Sequence, residues 1–334
     1  MTDKKGKIYT LDDIAKNLGV SKTTVSRSIS GKGRIGKETR ERVLQFIKDH
    51  EYSPNIMAKG LAQQKTFNIA LAMPADLAIS DLPFFQKCTN GICQIAAEND
   101  YDVILFRTNG TDLSQLKRII NNKKADGMIL MRTLVHDRFI HLLKQKSIPF
   151  VAIGSSDDED VTHVDNDHSG LCKTLTEFLL SKGLQRFALI GGCMDYYVNK
   201  SRLKGFSEAI NEQPRKINHV DFLDVTKEQQ IVKAVDDALE FRADCIVCMD
   251  DYICLRVITR LAELSVKIPE DISVVTFYTN MLLENINPII TGLEFDDYKL
   301  GEVACQVLID KFNGEQAEDY ISTDCRLIIG KSTI

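Results

Sequence analysis

The spacing of apolar side chains predicts two regions that are built differently. In residues 8–50 the apolar positions recur every three to four residues, as in helices that bury one face. Three short helices are therefore expected there, the third from about Lys37 to His50. From Phe67 onward, short apolar runs alternate with amphipathic stretches, which favours strands that alternate with helices.

The second region carries apolar runs that predict strands: Ile69–Met73, Val103–Phe106, Met128–Met131, Phe150–Ile153, Phe187–Ile190, Phe222–Val225, Cys245–Cys248, Ile272–Phe277 and Leu327–Ile329. Helical periodicity marks the segments 84–99, 113–123, 136–146, 168–182, 200–213, 227–241, 251–265 and 296–312. Strands that are apolar throughout are typical of a parallel sheet covered on both faces. Because so many strands exceed one small sheet, we expect two doubly wound lobes, with a ligand cleft outside the carboxyl ends of the strands.

The first two helices have the spacing of a helix-turn-helix. A capping box is expected at Thr10–Asp13, and Ser21 can cap the second helix. Ala15 is small where the helices cross, Gly19 lies in the turn, and Val25 packs into the core. The opposite face of the second helix carries donors with the reach for base edges and phosphates: Lys22, Thr23, Ser26 and Arg27. The alternative is a three-helix interaction module with a solvated basic face.

Residues 53–61 form a short candidate helix between the two regions. Ser53 can cap it, and Pro54 suits its first position. The segment is shorter than the roughly 12–15 residues that an isolated helix needs in water, and Gly60 costs about 1 kcal/mol more. It is expected to fold only with help, for example from a second copy of the chain and DNA. A plain linker is the alternative.

The charge is unevenly distributed along the chain. Residues 1–65 contain 14 Lys/Arg and 7 Asp/Glu, a net charge of +7, whereas the remaining 269 contain 28 and 40, a net charge of −12. With 44% apolar and 27% charged residues, the composition is that of a globular protein. A basic head on an acidic body indicates that only the head meets a polyanion such as nucleic acid.

Several function classes find no support. No apolar run is long enough for a membrane helix, and no apolar segment follows the basic N-terminus, so neither a membrane span nor a secretory signal is expected. Nine scattered cysteines suit reduced thiols and a cytoplasmic location. Cys245 and Cys248 have CxxC spacing, but they lie in an apolar run without a second ligand pair, so no metal site is expected.

Catalysis is not expected either. The chain lacks the G-x-S-x-G and P-loop motifs, and its one G-x-G-x-x-G spacing, Gly31–Gly36, follows a predicted helix and not a strand, so neither an enzyme nor a cofactor is expected. His163 and His168 flank Asp165 without a nucleophile, which favours a hydrogen-bonded pair. The acidic run Asp157–Asp160 is interpreted as a solvated loop.

Motifs along nearly the whole chain resemble the lactose-repressor/galactose-repressor family of bacterial regulators. The specific N-terminal motifs are Tyr9–Ala15, Gly19–Arg27 and Tyr52–Asn55, with Ala58 and Leu61. Looser motifs in family order are Pro83–Phe85, Asp126-Gly127, Val164–Asn166, Gly191-Gly192, Arg202–Phe206, Ile268–Val275 and Lys331–Thr333. The resemblance implies an N-terminal all-α helix-turn-helix domain and an α/β periplasmic-binding-protein-like body of two doubly wound parallel-sheet lobes.

The resemblance also implies domain limits. Residues 1–52 would be the helix-turn-helix domain, 53–66 the hinge helix or linker, and 67–334 the effector-binding and dimerisation domain. Lobe one would comprise about 67–161 and 292–326, and lobe two about 162–291.

By the same resemblance, particular side chains would contact operator DNA. Lys22, Thr23 and Arg27 fall at base-reading positions. The family usually holds phosphates at the positions of Thr10, Ser21, Thr24, Ser26 and Asn55. In the hinge, Ala58 and Lys59 precede Leu61, which matches a leucine wedged into the minor groove. Two positions depart from the pattern: Ser30-Gly31 replaces a common Asn, and Gly60 replaces the usual Ser.

The effector positions depart more from the family. Phe84, Phe85 and Arg202 match effector-binding positions. Asp250 with Asp251 stands where Asn-Asp is common, Tyr278 with Thr279 where an Asp pair is frequent, and Gly154 where another acidic residue is frequent. Arg132 follows a predicted strand and can point a second cation into the cleft; the alternative is that it is simply solvated or ion-paired. Two arginines with fewer acceptors predict an anionic effector, such as a sugar acid or sugar phosphate.

The sequence therefore predicts a DNA-binding transcriptional regulator, in particular a repressor of a carbohydrate-utilisation operon controlled by a sugar-like effector. Its partners would be operator DNA, the effector and a second copy of the chain; a tetramer stays open, although no terminal leucine heptads invite one. The rivals are a solute-binding protein of a transport system, which shares the two-lobed body, and a doubly wound enzyme with a DNA-binding tail. The helix-turn-helix argues against the first, and the missing nucleotide motif against the second.

Overall fold

The computed structural model describes residues 9–31, 33–50, 52, 60–61, 63–75, 82–108, 112–158, 160–315, 319–322 and 324–333. The chain forms two compact units, Met1–Thr66 and Phe67–Ile334. Six helices of the described residues begin at a side-chain cap, and most of the strands follow the apolar pattern.

Three helices make up the described core of the first unit: α1 (Leu11–Leu18), α2 (Lys22–Ser30) and α3 (Lys37–Asp49). The expected capping box is present, because the Asp13 N–H donates to Thr10 Oγ1 at 3.2 Å and the Thr10 N–H donates to Asp13 Oδ2 at 3.0 Å. Gly19 ends α1 with a φ of 64°, which favours glycine. The three helices bury a small apolar core of Ile14, Ala15, Val25 and Val43.

The second unit contains two six-stranded sheets, each the centre of one lobe. Lobe one has the strand order β11-β5-β4-β3-β1-β2 and is parallel throughout. Its strands are β1 (Asn68–Pro74), β2 (Asp102–Thr108), β3 (Gly127–Leu130), β4 (Phe150–Ile153), β5 (His163–Asn166) and β11 (Tyr320–Ser322).

Lobe two has the order β12-β10-β9-β8-β6-β7, and only β12 runs antiparallel to its neighbour. Its strands are β6 (Arg186–Ile190), β7 (Asn218–Phe222), β8 (Cys245–Cys248), β9 (Ser273–Thr279), β10 (Thr291–Phe295) and β12 (Cys325–Ile328). The chain crosses between the lobes after β5, after β10 and after β11.

Helices cover both faces of each sheet, as the apolar strands require. In lobe one, α4 (Leu82–Glu98) and α11 (Asp297–Phe312) pack on one face, and α5 (Ser114–Asn121) and α6 (Arg138–Gln145) on the other. In lobe two the corresponding pairs are α7 (His168–Ser181) with α8 (Tyr197–Asn211), and α9 (Glu228–Glu240) with α10 (Asp251–Glu263). The predicted doubly wound lobes are confirmed.

The strand prediction at Phe222–Val225 is wrong. The strand is Asn218–Phe222, an edge strand in which three of the five residues are polar and exposed, so it carries little apolar signal. Val225 is apolar because it packs in the core of lobe two beyond the end of that strand.

The expected lobe boundaries also need correction. Strand β5 belongs to lobe one, and β10 and β12 belong to lobe two. The sequence signal for β5 is weak because the polar residues His163, Asp165 and Asn166 dominate it. Strand β11 pairs with β5 in lobe one, whereas β12 pairs with β10 in lobe two. The apolar pattern does not encode which lobe each of these strands joins.

The helices of the described residues were compared with the length and hydropathy of a membrane-spanning helix. Within the described part of the chain, none combines the length and the apolar character needed to cross a bilayer.

Candidate DNA-binding surface and ligand cavity

Helix α2 exposes the face that the sequence predicts. Lys22, Thr23, Ser26 and Arg27 are exposed, whereas Val25 and Ser28 on the opposite side are buried. Lys22 Nζ lies 2.8 Å from Asp12 Oδ2, but both side chains remain about 60% exposed, so a stronger anion can displace the carboxylate. The helix thus presents two cations and two hydroxyls on one exposed face.

Three further hydroxyls hold the helix ends. The Thr24 N–H donates to Ser21 Oγ at 3.0 Å, and the two hydroxyl oxygens lie 2.8 Å apart. The Thr10 hydroxyl donates to Asp13 Oδ2 at 2.7 Å. Thr10, Ser21 and Thr24 therefore have a local structural role. The Thr10 O–H and one of the Ser21 and Thr24 O–H groups already donate within the protein, so a phosphate contact needs the remaining O–H or one that turns outward.

Only part of the predicted hinge lies within the described residues. Asn55, Ala58 and Lys59 lie outside the described residues. Gly60 and Leu61 have helical backbone, and Leu61 is 85% exposed. A leucine that is exposed to this extent buries almost none of its side chain within the chain, which is what a residue destined for an external apolar contact requires.

A cavity of about 300 Å³ lies between the two lobes, outside the carboxyl ends of the strands. It is lined by all six effector candidates: Phe84, Phe85, Arg132, Arg202, Asp250 and Tyr278. Further lining residues that the sequence did not single out as ligand contacts include Thr133, Asn166, Tyr196, Asn199, Asp251 and Asn280. These residues lie at strand ends and helix starts. Because ligands bind outside the carboxyl ends of the strands, they could have been found by considering the residues that follow every predicted strand.

Arg202 projects from α8 and is 7% exposed. Its Nη1 donates to the Met249 carbonyl at 2.7 Å, and its Cζ lies 5.5 Å from the centre of the Tyr278 ring. Its Nε has no hydrogen-bond partner among the described residues. The guanidinium is held in place by protein groups on one side and retains donor capacity on the other.

Asp250 and Asp251 meet the cavity at the start of α10. The Ile253 N–H donates to Asp250 Oδ1 at 2.8 Å, which caps the helix, and the Tyr252 N–H donates to Asp251 Oδ1 at 2.9 Å. Burial raises the pKa of Asp250. Burial and the neighbouring charge of Asp250 raise the pKa of Asp251 to about 7.

Tyr278 connects the lobes beside the cavity. Its hydroxyl donates to Asp297 Oδ2 at 2.7 Å, where Tyr278 belongs to β9 of lobe two and Asp297 begins α11 of lobe one. Phe84 lies edge-on to the Tyr278 ring, with the ring centres 6.3 Å apart. Burial raises the pKa of Asp297 to about 6, although the bond from Tyr278 acts in the opposite direction. Tyr278 therefore offers its ring to the cavity while its hydroxyl is engaged.

A second set of contacts, here called the interlobe clasp, joins residues 133–135 of lobe one to residues 195–197 of lobe two. The Val135 N–H donates to the Asp195 carbonyl at 2.9 Å, and the Tyr197 N–H donates to the Thr133 carbonyl at 3.3 Å. Beside the clasp, the Arg132 guanidinium lies 4.0 Å from the centre of the Tyr196 ring, a cation–π contact.

The acidic run 157–160 takes part in this junction. The Tyr197 hydroxyl donates to Asp157 Oδ1 at 2.9 Å, and Lys144 Nζ donates to Asp158 Oδ1 at 2.7 Å. The interpretation of the run as a merely solvated loop is therefore wrong for these two carboxylates, because each has a specific partner.

His168 and Asp165 lie next to each other in the wall of the cavity, at an ion-pair distance. Both the N–H and the hydroxyl of Ser155 donate to Asp165 Oδ2 at 2.7 Å, and His168 Nε2 lies 3.5 Å from Asp165 Oδ1. Burial acts to raise the pKa of Asp165, but the bonds from His168 and Ser155 outweigh it and lower the pKa. Burial lowers the pKa of His168, against the pull of Asp165.

The two cysteines with CxxC spacing, which the sequence analysis did not assign to a metal site, are buried residues of a strand. Cys245 and Cys248 are fully buried in β8. Burial raises the pKa of both thiols, which disfavours the thiolate that metal binding and redox exchange need.

Comparison with known protein families gives two matches. Residues 10–55 match the model described as bacterial regulatory proteins, lacI family. Residues 176–333 match the periplasmic binding protein-like domain. The first match covers the three helices of the first unit, and the second covers most of lobe two and α11.

Curated relatives match nearly end to end. Catabolite control protein A of Staphylococcus epidermidis (strain ATCC 12228 / FDA PCI 1200) is 27% identical over 317 residues, which are 93% of this chain and 94% of the relative. The HTH-type transcriptional regulator MalR of Streptococcus pneumoniae serotype 4 (strain ATCC BAA-334 / TIGR4) is 28% identical over 316 residues, 91% of this chain and 93% of that protein.

Solved structures share the fold. The lac repressor dimer bound to operator and the anti-inducer ONPF has a TM-score of 0.77 at 21% identity, covering 98% of this chain and 100% of that one. The complex of the transcriptional regulator CelR with cellobiose has a TM-score of 0.69 at 24% identity, with 97% and 99% covered. At these identities, the likeness shows the architecture alone.

Proposed function

The chain belongs to the LacI family, with a lacI-type helix-turn-helix followed by a periplasmic-binding-protein-like domain, and from that premise we propose that it is a carbohydrate-responsive repressor. It is a DNA-binding transcriptional regulator by family. The proposal is that, as a homodimer, it represses carbohydrate-utilisation genes, and that a sugar-like effector in the interlobe cavity sets its affinity for the operator.

The observation that carries the proposal is the exposed polar face of α2 above a buried helix-turn-helix core. Arg27 can bind a guanine edge with two hydrogen bonds, and Lys22 and Thr23 add shorter contacts. We assign phosphate contacts to Thr10, Ser21, Thr24, Ser26 and Asn55. Ala58, Lys59 and Leu61 would serve the hinge, with Leu61 entering the minor groove between base pairs.

The cavity supports a small polar effector. Its volume of about 300 Å³ lies at the lower end of the range for small-molecule sites. Aromatic side chains and hydrogen-bonding groups both line it, which suits the apolar faces and hydroxyls of a sugar. A cellobiose-bound CelR is among the similar proteins, and we carry its link with a sugar over to this chain as part of the proposal.

Side chains of both charges line the cavity, whereas the sequence analysis considered mainly the positive ones. Arg132 and Arg202 line the cavity, but so do Asp165, Asp250 and Asp251. The argument for an anionic effector rests on the two arginines and on the loss of two usual acceptors, and the three carboxylates that line the same cavity weaken it. We therefore propose a sugar-like effector without requiring that it carry a negative charge.

Coupling between cavity and operator would run through the lobes and the hinge. A ligand that binds one arrangement of the lobes better than another shifts the population toward that arrangement. In the dimer, such a shift would change the spacing of the two hinge segments. Couplings of this type are worth about 1–3 kcal/mol.

The test uses the exposed hinge leucine. The wild-type chain is first used to select an operator from random duplex DNA, and the affinities of Leu61→Ala for this operator and for a scrambled duplex are then compared. We expect operator binding to fall far more than scrambled binding, because the wedge acts only when the hinge is seated. The control is Leu44→Ala, another exposed leucine in the same unit, which is 42% exposed. Equal losses on both duplexes, or no selected sequence at all, would contradict the proposal.

A further inference from the structure

The turn between α2 and α3 contains two glycines whose backbone lies in the left-handed region. Gly31 has a φ of 70° and Gly33 a φ of 92°. L side chains rarely adopt such angles, whereas glycine does so without strain. The turn also carries the G-x-G-x-x-G spacing of the sequence, Gly31–Gly36, which has no role under the proposed function. Helix capping accounts for Gly31, which ends α2, but it does not account for Gly33.

The side chains of two arginines pack on these glycines. A Cβ atom added to Gly33 would lie 3.2 Å from Arg27 Cδ, 3.5 Å from its Nε and 3.8 Å from its Cγ. A Cβ atom added to Gly31 would lie 3.1 Å from Arg40 Nη2 and 4.0 Å from its Cζ. Arg27 thus lies along the turn with the middle of its side chain, whereas Arg40 reaches the turn only with its guanidinium.

The missing side chain at Gly33 leaves the space that Arg27 occupies. A separation of 3.2 Å is shorter than the roughly 3.5–4.0 Å of an unstrained contact between carbon atoms, so a Cβ would push the middle of the Arg27 side chain away from the turn. Gly19 differs: its φ of 64° also favours glycine, but no described atom beyond its chain neighbours lies within 4 Å of its Cβ position. Backbone conformation alone explains Gly19, whereas Gly33 also makes room for Arg27.

A fixed direction matters for Arg27 because of the contact proposed for it. The side chain is exposed, and an exposed arginine loses rotamer freedom when it binds. Two hydrogen bonds to one guanine require that the planar guanidinium approach the base edge in one orientation. A turn that supports the side chain in the free protein removes part of this entropic cost before DNA arrives.

We propose that Gly33 is a positioning residue for Arg27, and that it raises the preference for operator DNA through Arg27 and not through a contact of its own. Because residue 33 has no side chain, Arg27 lies against the turn, and the turn directs its guanidinium toward the base edge. The inference rests on the proposed function, since it takes Arg27 to read bases. It adds a residue outside α2 on which base reading depends.

The first experiment compares Gly33→Ala with Gly31→Ala in the full chain. Both variants place a methyl group on a left-handed residue of the same turn, but Gly31→Ala meets only the flexible end of Arg40. The affinities for the selected operator and for a scrambled duplex are measured at one salt concentration, below the melting temperature of each variant. We expect Gly33→Ala to lower the ratio of the two affinities by about fivefold or more, the lower end of what a two-bonded base contact is worth. Gly31→Ala should keep the ratio within about twofold of wild type. Equal ratios in the two variants would overturn the proposal.

A second variant separates backbone strain from the displacement of Arg27. Gly33→Asn also adds a Cβ, but asparagine tolerates a positive φ better than alanine does. Its affinity ratio should fall as in Gly33→Ala, while its melting temperature stays closer to that of wild type. A wild-type ratio in Gly33→Asn would mean that strain, and not the position of Arg27, accounts for any loss in Gly33→Ala, and it would overturn the proposal.

The deciding experiment is a double-mutant cycle with Arg27→Ala. If Gly33 acts through Arg27, Gly33→Ala costs no further selectivity once the Arg27 side chain is removed, so the double variant should have the ratio of Arg27→Ala alone. Additive losses would overturn the proposal and leave base reading by Arg27 intact. An unchanged ratio in Arg27→Ala itself would contradict the proposed function, and the positioning role of Gly33 would fall with it.

Discussion

Tyr278 and Asp297 show how a single hydrogen bond can link the lobes at an energetic cost. The bond is buried, and Asp297 Oδ1 has no partner among the described residues. Burial raises the pKa of Asp297 to about 6 despite the donor from Tyr278. The fold is therefore more stable when Asp297 is protonated, whereas the hydrogen bond from Tyr278 contributes most when Asp297 is charged.

We predict that Tyr278→Phe destabilises the protein more at pH 8 than at pH 5. At pH 8 Asp297 is charged, and removing its donor leaves a buried charge unpaired, which costs about 1–3 kcal/mol. At pH 5 the carboxyl is protonated and the loss is smaller. Urea unfolding at both pH values measures the difference, with Tyr298→Phe, a partly exposed tyrosine at the start of α11, as the control. Equal losses at the two pH values would show that Asp297 stays neutral throughout.

Single residues were predicted from the sequence with uneven success. Arg202 and Phe84 were found because a motif marks them, and both line the cavity. The environment of Asp251 could not be predicted, because the lack of a partner for its Oδ2 among the described residues results from the way α8, α10 and β9 pack around it. A motif fixes which side chain is present but does not determine which of its atoms find partners.

At the level of elements, α2 combines a structural cap with the exposed face that we propose as the recognition face. Ser21 caps the helix, while Ser26 lies on the exposed face without a capping role. The two serines therefore separate the stability of the helix from its contacts with DNA.

We predict that Ser21→Ala lowers the stability of the first unit by about 1 kcal/mol, since it leaves the Thr24 N–H without its partner. Ser26→Ala should stay within about 0.5 kcal/mol of wild type. Denaturant unfolding followed by amide exchange in α1–α3 provides the measurement. A loss in Ser26→Ala as large as that in Ser21→Ala would contradict the assignment of the cap.

The interlobe clasp is an element-level contact that depends on one aromatic ring. Arg132 packs on the Tyr196 ring next to the two backbone hydrogen bonds of the clasp. The ring, rather than the hydroxyl, is the part that this contact uses.

We predict that Tyr196→Leu speeds amide exchange at Val135 and Tyr197, whose N–H groups form the clasp. A cation–π contact of about 0.5–2 kcal/mol corresponds to exchange that is about 2- to 30-fold faster. Tyr196→Phe keeps the ring and should exchange like wild type. The proposed role of the ring would fail if both variants behaved alike.

Elements were predicted best where burial is complete. Phe150–Ile153 and Cys245–Cys248 were placed to the residue, because every side chain in them is buried and apolar. The strands His163–Asn166 and Tyr320–Ser322 were missed, since short or polar strands depend on pairing that a local pattern does not contain.

For the whole molecule, the distribution of charge fits a basic region that binds DNA and an acidic region that does not. The net charge of +7 on residues 1–65 belongs to the region that contains α1–α3, and a dimer would bring two such regions to one operator. The net charge of −12 on the rest repels DNA. This repulsion is expected to orient the chain with its basic region toward DNA more than to raise its affinity for DNA. The apolar pattern predicted the two units and the two lobes, and the family resemblance implied two crossings between the lobes, near residues 161 and 292. The third crossing, after β11, emerged only from strand pairing.

The central claim is that α2 reads DNA sequence, and the most direct test is the ratio of affinities for the selected operator and a scrambled duplex of the same length and at the same salt concentration. We expect the wild-type chain to prefer the operator by about 10³-fold or more. Arg27→Ala should lose about 1–3 kcal/mol of that preference in each half-site while its melting temperature stays unchanged. Arg326→Ala, which removes the same charge from an exposed site in the second unit, should keep the preference. An unchanged ratio in Arg27→Ala would contradict the account.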